Sequence, residues 1–377
     1  MTTVDVRSDT AVAAPASTFS GRVVLAGYYP PPLGGESVHV AGLARGLRAR
    51  GVDVEIVNLR KGAPPSPDYR HVTGVASLWR ALADGLRGGA LLHLHTNGHS
   101  ARSWSVVMAA AAVLLRTRSA GVLTLHSGLC PGYLGRRGRA GRALIRLALA
   151  PFAHVMCVNT SIRDALVGIG VAPGQLSVLP AFLGVEAPGA LTDADAAMIA
   201  RFRPYLVAAG GAGAEYGMDV LLAAVDQLRR RYPQLGCVVM GGGDSRPLRD
   251  ALGARGVDRH VVALGEVAHA RYLALLARAD VFVRPSLVDG DAISVREALA
   301  LGRPVVASDT DFRPDGVVLF RRGDGNDLAD KLAIAIEQVA GSAHAAGTVT
   351  TLDEVVSIYR RAAAVGARTP RRVAGTP

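Results

Sequence analysis

The chain has 377 residues, 50% of them hydrophobic and 19% charged, enough for two ordinary domains that each bury a core. Its longest uncharged apolar run, Trp104 to Leu115, is far short of the roughly 20 residues that cross a bilayer, which argues against an integral membrane protein. Cys130, Cys157 and Cys237 are scattered and lack C-x-x-C spacing, so they fit buried thiols in a reducing cytoplasm rather than a disulfide frame. The net charge is +11, and of the cationic residues only Lys61 and Lys331 are not arginine. That balance suits phosphate-bearing ligands or an anionic lipid surface. Aromatic residues are 5% and are not interleaved with the arginine clusters, so nucleic acid is not expected as a partner.

Residues 1–20, rich in Ala, Thr and Ser and without a continuous apolar core, read as a disordered leader rather than a secretory signal. Short β-branched runs then alternate with helical patterns, the sequence form of parallel βαβ units. The first series predicts strands at Arg22–Ala26, Val54–Asn58, Leu91–His95, Val122–Leu125, Val155–Asn159 and Ser177–Leu179. Between the first two, Val38–Arg50 places Val40, Leu43, Ala44 and Leu47 on one helical face and ends at Gly51. The stretch from Pro180 to about Arg203 lacks a strand pattern, so a linker is expected at 186–203, after a domain at 21–185.

A second domain is expected at 204–348. It predicts strand Tyr205–Ala209, helix Met218–Arg230, strand Cys237–Met240, helix Arg246–Leu252 and strand Val261–Leu264. Helix Arg271–Arg278, strand Val281–Val283, helix Ala292–Leu301 and strand Val305–Ser308 follow. The fold class is therefore α/β, with two doubly wound parallel sheets facing a cleft. A last helix within 349–366, with Val355, Tyr359 and Ala362 at helical spacing, is expected to pack back on the first domain, before a disordered tail at 367–377.

Two loops carry the chemistry. Gly34-Gly35 lies between the first strand and the first helix, where bare backbone and a helix N-terminus can meet an anion or simply make a tight turn. The second loop is Arg284-Pro285-Ser286-Leu287-Val288-Asp289-Gly290-Asp291-Ala292-Ile293, followed by Ser294, Val295, Arg296 and Glu297 on a helix. Loops at the carboxyl ends of parallel strands bind ligands in open α/β sheets. Asp289 and Glu297 are expected to face one ligand, as acceptors for sugar hydroxyls, with the Gly290 amide turned toward it. Gly241-Gly242-Gly243-Asp244 follows a strand and reads equally as a nucleotide loop or a turn.

At these residues the chain resembles bacterial glycosyltransferase family 4 (the group 1 glycosyltransferases), over about Arg22 to Val365. The E-x7-E motif of that family aligns as Asp289-x7-Glu297, with Asp in the first position. The Gly34-Gly35 loop, Arg50-Gly51-Val52-Asp53-Val54, Leu125-His126-Ser127 and Leu299 to Ser308 also match. The resemblance implies a GT-B fold and metal-independent, retaining transfer of a hexose-type sugar from a nucleotide-diphosphate donor to a hydroxyl. It implies that Asp289 contacts the sugar, Glu297 holds the donor ribose, and the amides of Gly290, Asp291, Ala292 and Ile293 hold sugar and phosphate. By the same carry-over His126 faces the sugar and phosphate, while Gly34, Gly35, Gly241 and Gly242 lie near the nucleotide. In one place the chain departs from the family. The G-R-x4-K-G pattern that neutralises the leaving diphosphate has Gly211 and Tyr216 where the Arg and Lys belong. Developing negative charge has to be met, and Arg284 and Arg296, nearest in sequence, are the expected substitutes.

His93, His95 and His99 cluster at a strand end, but no carboxylate or thiol ligand is near in sequence, and no metal or other cofactor is expected. His95, Asn97 and His99 are instead assigned to the acceptor side. Arg136, Arg137, Arg139, Arg142 and Arg146 run into Leu144, Ile145, Leu147, Leu149 and Phe152. That helix is either an anionic-membrane contact or a buried face with a solvated basic side. A cytoplasmic hexosyltransferase acting on an envelope or exopolysaccharide precursor or a small natural product is the reading of the whole. A sugar-nucleotide epimerase on the same scaffold, and a glycosyltransferase-like binding protein without catalysis, are its rivals.

Overall fold

The structure, a computed structural model, describes residues 19–31, 33–211, 213–241, 245–310, 312–339 and 351–367. The expected leader up to residue 18 and the expected tail from residue 368 lie outside the described residues, as does Gly242.

Two parallel sheets organise the chain. The first contains β1 (Arg22–Gly27), β2 (Asp53–Asn58), β3 (Arg70–His71), β4 (Leu91–Thr96), β5 (Gly121–Leu125), β6 (His154–Cys157) and β7 (Leu176–Val178). Their order is β3-β2-β1-β4-β5-β6-β7. The second contains β8 (Tyr205–Ala209), β9 (Gly236–Met240), β10 (Val261–Gly265), β11 (Val281–Arg284), β12 (Val305–Ser308) and β13 (Val317–Phe320). Its order is β10-β9-β8-β11-β12-β13. Every pairing within the two sheets is parallel. Sheet order reverses between β1 and β4 and again between β8 and β11, the two Rossmann-like switch points where a crevice opens beyond the strand ends.

Parallel strands need cover on both faces, and each sheet has it. Val24, Leu92 and Leu123 pack on one side of the first sheet, and Val23, Leu25 and Leu91 on the other. Leu206 and Val283 face one side of the second sheet, Val207 and Phe282 the other. The final helix, Leu352–Ala367, buries Val355, Val356, Ile358, Tyr359 and Ala362 in the Val23/Leu25 layer of the first sheet. The 186–203 stretch contains a helix, Asp193–Ala200, capped by Thr192. Its Asp195, 1% exposed, accepts two bonds from Arg271, at 2.6 and 3.1 Å, which hold its carboxyl down to about 2.

Element ends differ from the sequence reading for local reasons. The first helix runs Gly35–Arg48, three residues earlier than expected, because Gly34 caps it and donates its N–H to Ser37 Oγ at 2.9 Å. Strand β6 stops at Cys157 because Asn159 caps the next helix, accepting from Ile162 N at 2.9 Å. Among the described residues no helix is long and apolar enough to cross a membrane.

Candidate active site

The carboxyl ends of both sheets open on one cleft of about 380 Å³. Gly34, Gly35, Glu36, Asn97, His99, His126, Ser127 and Gly128 line it from the first domain. Gly210, Tyr216, Gly241, Glu266, His269, Arg284, the Asp289–Ser294 segment and Glu297 line it from the second.

The first wall rests on four histidines. His93 is fully buried, with Nδ1 2.6 Å from Tyr359 Oη and Nε2 2.7 Å from Thr124 Oγ1. His95 lies against it, tilted by 39° with ring centroids 3.9 Å apart, and its Nδ1 is 3.1 Å from His126 Nε2. His39, from the first helix, packs 5.3 Å from both His95 and His126 and donates from Nδ1 to the Ala181 carbonyl at 3.0 Å. Burial disfavours the imidazolium form. It pushes His39 down to about 4 and holds His93, His95 and His126 well below the usual histidine range, so all four are neutral at pH 7. Of the four only His126 lines the cleft. His95, expected on the acceptor side, is wholly buried behind it. Asn97 and His99 do line the cleft, His99 with Nδ1 2.8 Å from Ser127 Oγ.

The three strand-end histidines do not form a metal group. His93 has both nitrogens occupied and His99 bonds Ser127. Among the described residues, the three that offer ring nitrogens within 4.8 Å of one another are His39, His95 and His126. Neutral imidazoles of this kind suit zinc, copper or nickel. The His39–Ala181 and His95–His126 bonds use one nitrogen of each ring, and His95 Nε2 is buried without a hydrogen-bond partner.

The second wall rests on paired charges. Asp289 takes Arg284 in a fork, both bonds at 2.9 Å, and also accepts from Arg313 Nη1 at 3.0 Å and Ser286 Oγ at 2.6 Å. Burial works to raise its carboxyl, but the two guanidiniums outweigh it and hold it well below the usual carboxylate range. Asp289 and Glu297 both line the cleft, and the oxygens of Asp289 already accept from Arg284, Arg313 and Ser286. Arg296 is turned elsewhere. It bonds Asp291 at 2.7 Å, stacks 5.6 Å over the Phe312 ring and is not part of the cleft lining. Arg284 is the one Lys or Arg among the described residues that line the cleft, and it sits 5.6 Å over the ring of Tyr216, at the position of the missing lysine. Glu297, 4% exposed, is raised by burial and eased by His269, whose Nε2 lies 2.7 Å from Oε1.

The walls meet backbone to backbone. A Cβ on Gly290 would stand 2.0 Å from the His126 carbonyl oxygen, and one on Gly128 would stand 2.0 Å from the Asp289 carbonyl oxygen. Asn159 Nδ2 donates to Gly290 O, and Ala181 N donates to Asp291 Oδ2, both at 2.9 Å. Glycine at 290 is thus required by close approach of the two domains. Asp291, Ala292 and Ile293 follow it at the cleft, where the helix Ile293–Ala300 begins. Arg313, His39, His269 and Asn159 escaped the sequence reading. Arg313 and His269 lie in segments without a motif, and only the fold brings His39 to His126.

Similarity to known proteins agrees with this architecture. Residues 33–184 match the family described as Glycosyltransferase Family 4, and residues 203–338 match Glycosyl transferases group 1. Phosphatidyl-myo-inositol mannosyltransferase of Mycobacterium leprae is 28% identical over 332 residues, covering 79% of this chain and 83% of that protein. The Anabaena protein Alr3699/HepE in complex with UDP-glucose has the same fold, with a TM-score of 0.65 and 14% identity over 92% of this chain and 94% of that one. A putative UDP-N-acetylglucosamine 2-epimerase from Listeria monocytogenes also shares it, with a TM-score of 0.60 and 13% identity over 90% of this chain and 96% of that one. With two Rossmann-like domains, the glycine loop, the acidic-pair segment and family matches in both halves, this chain is a GT-B glycosyltransferase of the family 4, group 1 type.

Proposed function

We propose that the protein transfers a hexose-type sugar, with retention of configuration and without a metal, from a nucleotide-diphosphate sugar to a hydroxyl of an envelope-polysaccharide precursor or a small natural product. The observation that carries this reading is Glu297, a buried carboxylate at the cleft, oriented by His269 and set on the helix whose N-terminal amides adjoin Gly290–Ile293. Such a carboxylate is a natural acceptor for ribose hydroxyls. The leaving diphosphate would be met by those amides, by the Gly34–Gly35 turn and by Arg284. His126, neutral and polarised by His95, would face the anomeric centre, and closure of the walls would exclude water from the donor. Asp289 acts in this scheme through Arg284, as its anchor.

Calorimetric titration with UDP, GDP, ADP and TDP, repeated on Glu297→Ala, tests the reading. The expected result is selection of one diphosphate and its loss in the variant; binding of none would remove the transferase proposal. Product analysis without any acceptor separates transfer from epimerisation, since an epimerase alters the donor sugar alone.

A peripheral membrane contact at the inner face of a membrane belongs to the same proposal. Leu144 and Leu147, 51% and 70% exposed, lie beside Arg136, Arg137, Arg139, Arg142 and Arg146 on or before the helix Arg139–Leu149. An exposed apolar stripe flanked by arginines suits anionic lipid. Co-sedimentation with anionic vesicles at low salt is expected, and its absence would withdraw the contact.

A further inference from the structure

Beside the main cleft lies a second groove of about 400 Å³ that shares Leu33, Gly34, Gly35 and Glu36 with it. Its walls come from the carboxyl ends of three neighbouring strands. Tyr28 and Tyr29 follow β1, Arg60 and Lys61 follow β2, and Arg102 stands in the first turn of the helix after β4. This is the β1/β4 switch point of the first sheet, where an open α/β sheet places a ligand.

The charge of this groove sets it apart from the cleft it joins. Among the described residues many arginines pair with an acid, as Arg22 does with Glu55, Arg70 with Glu55 and Arg271 with Asp195. Arg60 instead donates to the Pro31 carbonyl, which holds its guanidinium at the groove mouth, and among the described residues no carboxylate pairs with Arg60, Lys61 or Arg102. Three cations without a carboxylate partner and two tyrosines therefore face one space, whose only acid among the described residues is Glu36. The main cleft has the reverse balance, with Glu36, Glu215 and Glu266 on its surface and Arg284 already committed to Asp289. A second anionic group, beside one held in the main cleft, meets these cations in the groove.

We propose that this groove is the acceptor subsite, and that the acceptor is a hydroxyl compound carrying a phosphate that Arg60, Lys61 and Arg102 hold. The inference rests on the transferase reading for the word acceptor, while the phosphate site itself does not depend on it. The phosphate takes guanidinium bonds at the outer end. Tyr28 and Tyr29 flank the polyol or sugar ring. The hydroxyl to be glycosylated then passes Glu36, whose Oε1 already accepts from Tyr28 N at 3.1 Å, into the main cleft.

The test uses the full chain and two pairs of probes, with and without the nucleoside diphosphate that the protein selects. Glucose 6-phosphate is titrated against glucose, and phosphatidylinositol vesicles are compared with phosphatidylcholine vesicles. At least one phosphate probe should bind about tenfold or more above its neutral counterpart at low salt. That preference should disappear in the combined variant Arg60→Gln, Lys61→Gln, Arg102→Gln, whose nucleotide affinity and thermal transition should stay at wild-type values. Preference for the sugar phosphate assigns the phosphate to a soluble acceptor; preference for phosphatidylinositol alone assigns it to a lipid headgroup. If neither phosphate probe is preferred, or the combined variant keeps the preference, the proposal is overturned. If the phosphate preference is found but no nucleotide binds, the groove stands and the transferase reading falls.

Discussion

The two walls of the cleft are built on opposite electrostatic plans. On the first domain, histidines kept neutral by burial hand hydrogen bonds to one another, to Tyr359 and to a carbonyl. On the second, buried ions neutralise each other as Arg284–Asp289–Arg313 and Arg296–Asp291, and His269 bonds Glu297. A neutral network tolerates loss of one partner at the cost of a hydrogen bond, whereas a buried ion left alone is far more costly. The contrast shows that a site can be rigid on both sides and yet fail in two different ways.

The largest expected effect breaks the charged wall. Asp289→Ala leaves two guanidiniums buried without their acid, and should lower the unfolding free energy by about 3–5 kcal/mol in denaturant titrations. Equal stability of variant and wild type would mean that Arg284 and Arg313 find solvent, and would dissolve the contrast.

Acid should find the neutral wall first. The folded pKa values of His39, His93, His95 and His126 lie below the unfolded value near 6.5, so above that pH neither state is protonated and stability is whole. As the pH falls below 6.5 the unfolded chain takes up protons that the folded chain refuses. Stability then drops by up to about 1.4 kcal/mol per pH unit for each such histidine, until the folded value, about 4 for His39, is reached. The Asp289 cluster runs in the same direction but in a lower window. Its depressed folded pKa adds stability that is present above 3.8 and lost only below it. Thermal transitions followed from pH 7.5 to 4.5 should therefore decline in the histidine window, and imidazole resonances should stay unprotonated below pH 6. A flat profile would place those rings in contact with water.

At the seam between the walls, Gly290→Ala forces a methyl group into the His126 carbonyl. A cost of about 1–3 kcal/mol is expected from overpacking, together with loss of activity that Glu297 alone cannot restore. Unchanged activity would show that the seam opens freely. Smallest is Tyr359→Phe, which removes the hydroxyl from His93 and should cost about 1 kcal/mol in thermal unfolding while leaving nucleotide binding untouched.

Much of the architecture was legible because parallel sheets announce themselves in alternating apolar runs and helical spacings. β3, two residues long, and β13, with Leu319 46% exposed, carried too little pattern to be seen. The loops of the site were found at Gly34–Gly35 and Asp289–Glu297, since their residue types suit one kind of chemistry. The direction of their side chains was not legible. Asp289 binds Arg313, 24 positions later and in no motif, and His39 reaches His126 only through the packing of the first helix against the sheet. Spacing along the chain decides which groups share a face, while the allegiance of a buried carboxylate depends on which cation the fold delivers to it.

The last helix has a consequence for the order in which the protein can be made. Its Tyr359 closes on His93 in the fourth strand, and Val355 and Val356 complete a layer begun by Val23 in the first. A ribosome delivers those residues only after the whole second domain has emerged. The first domain must therefore wait with part of one face of its sheet uncovered beside the first helix, so chaperone binding or stalled translation before residue 351 should leave it trapped in that state, and a peptide of the last helix supplied in trans should release it.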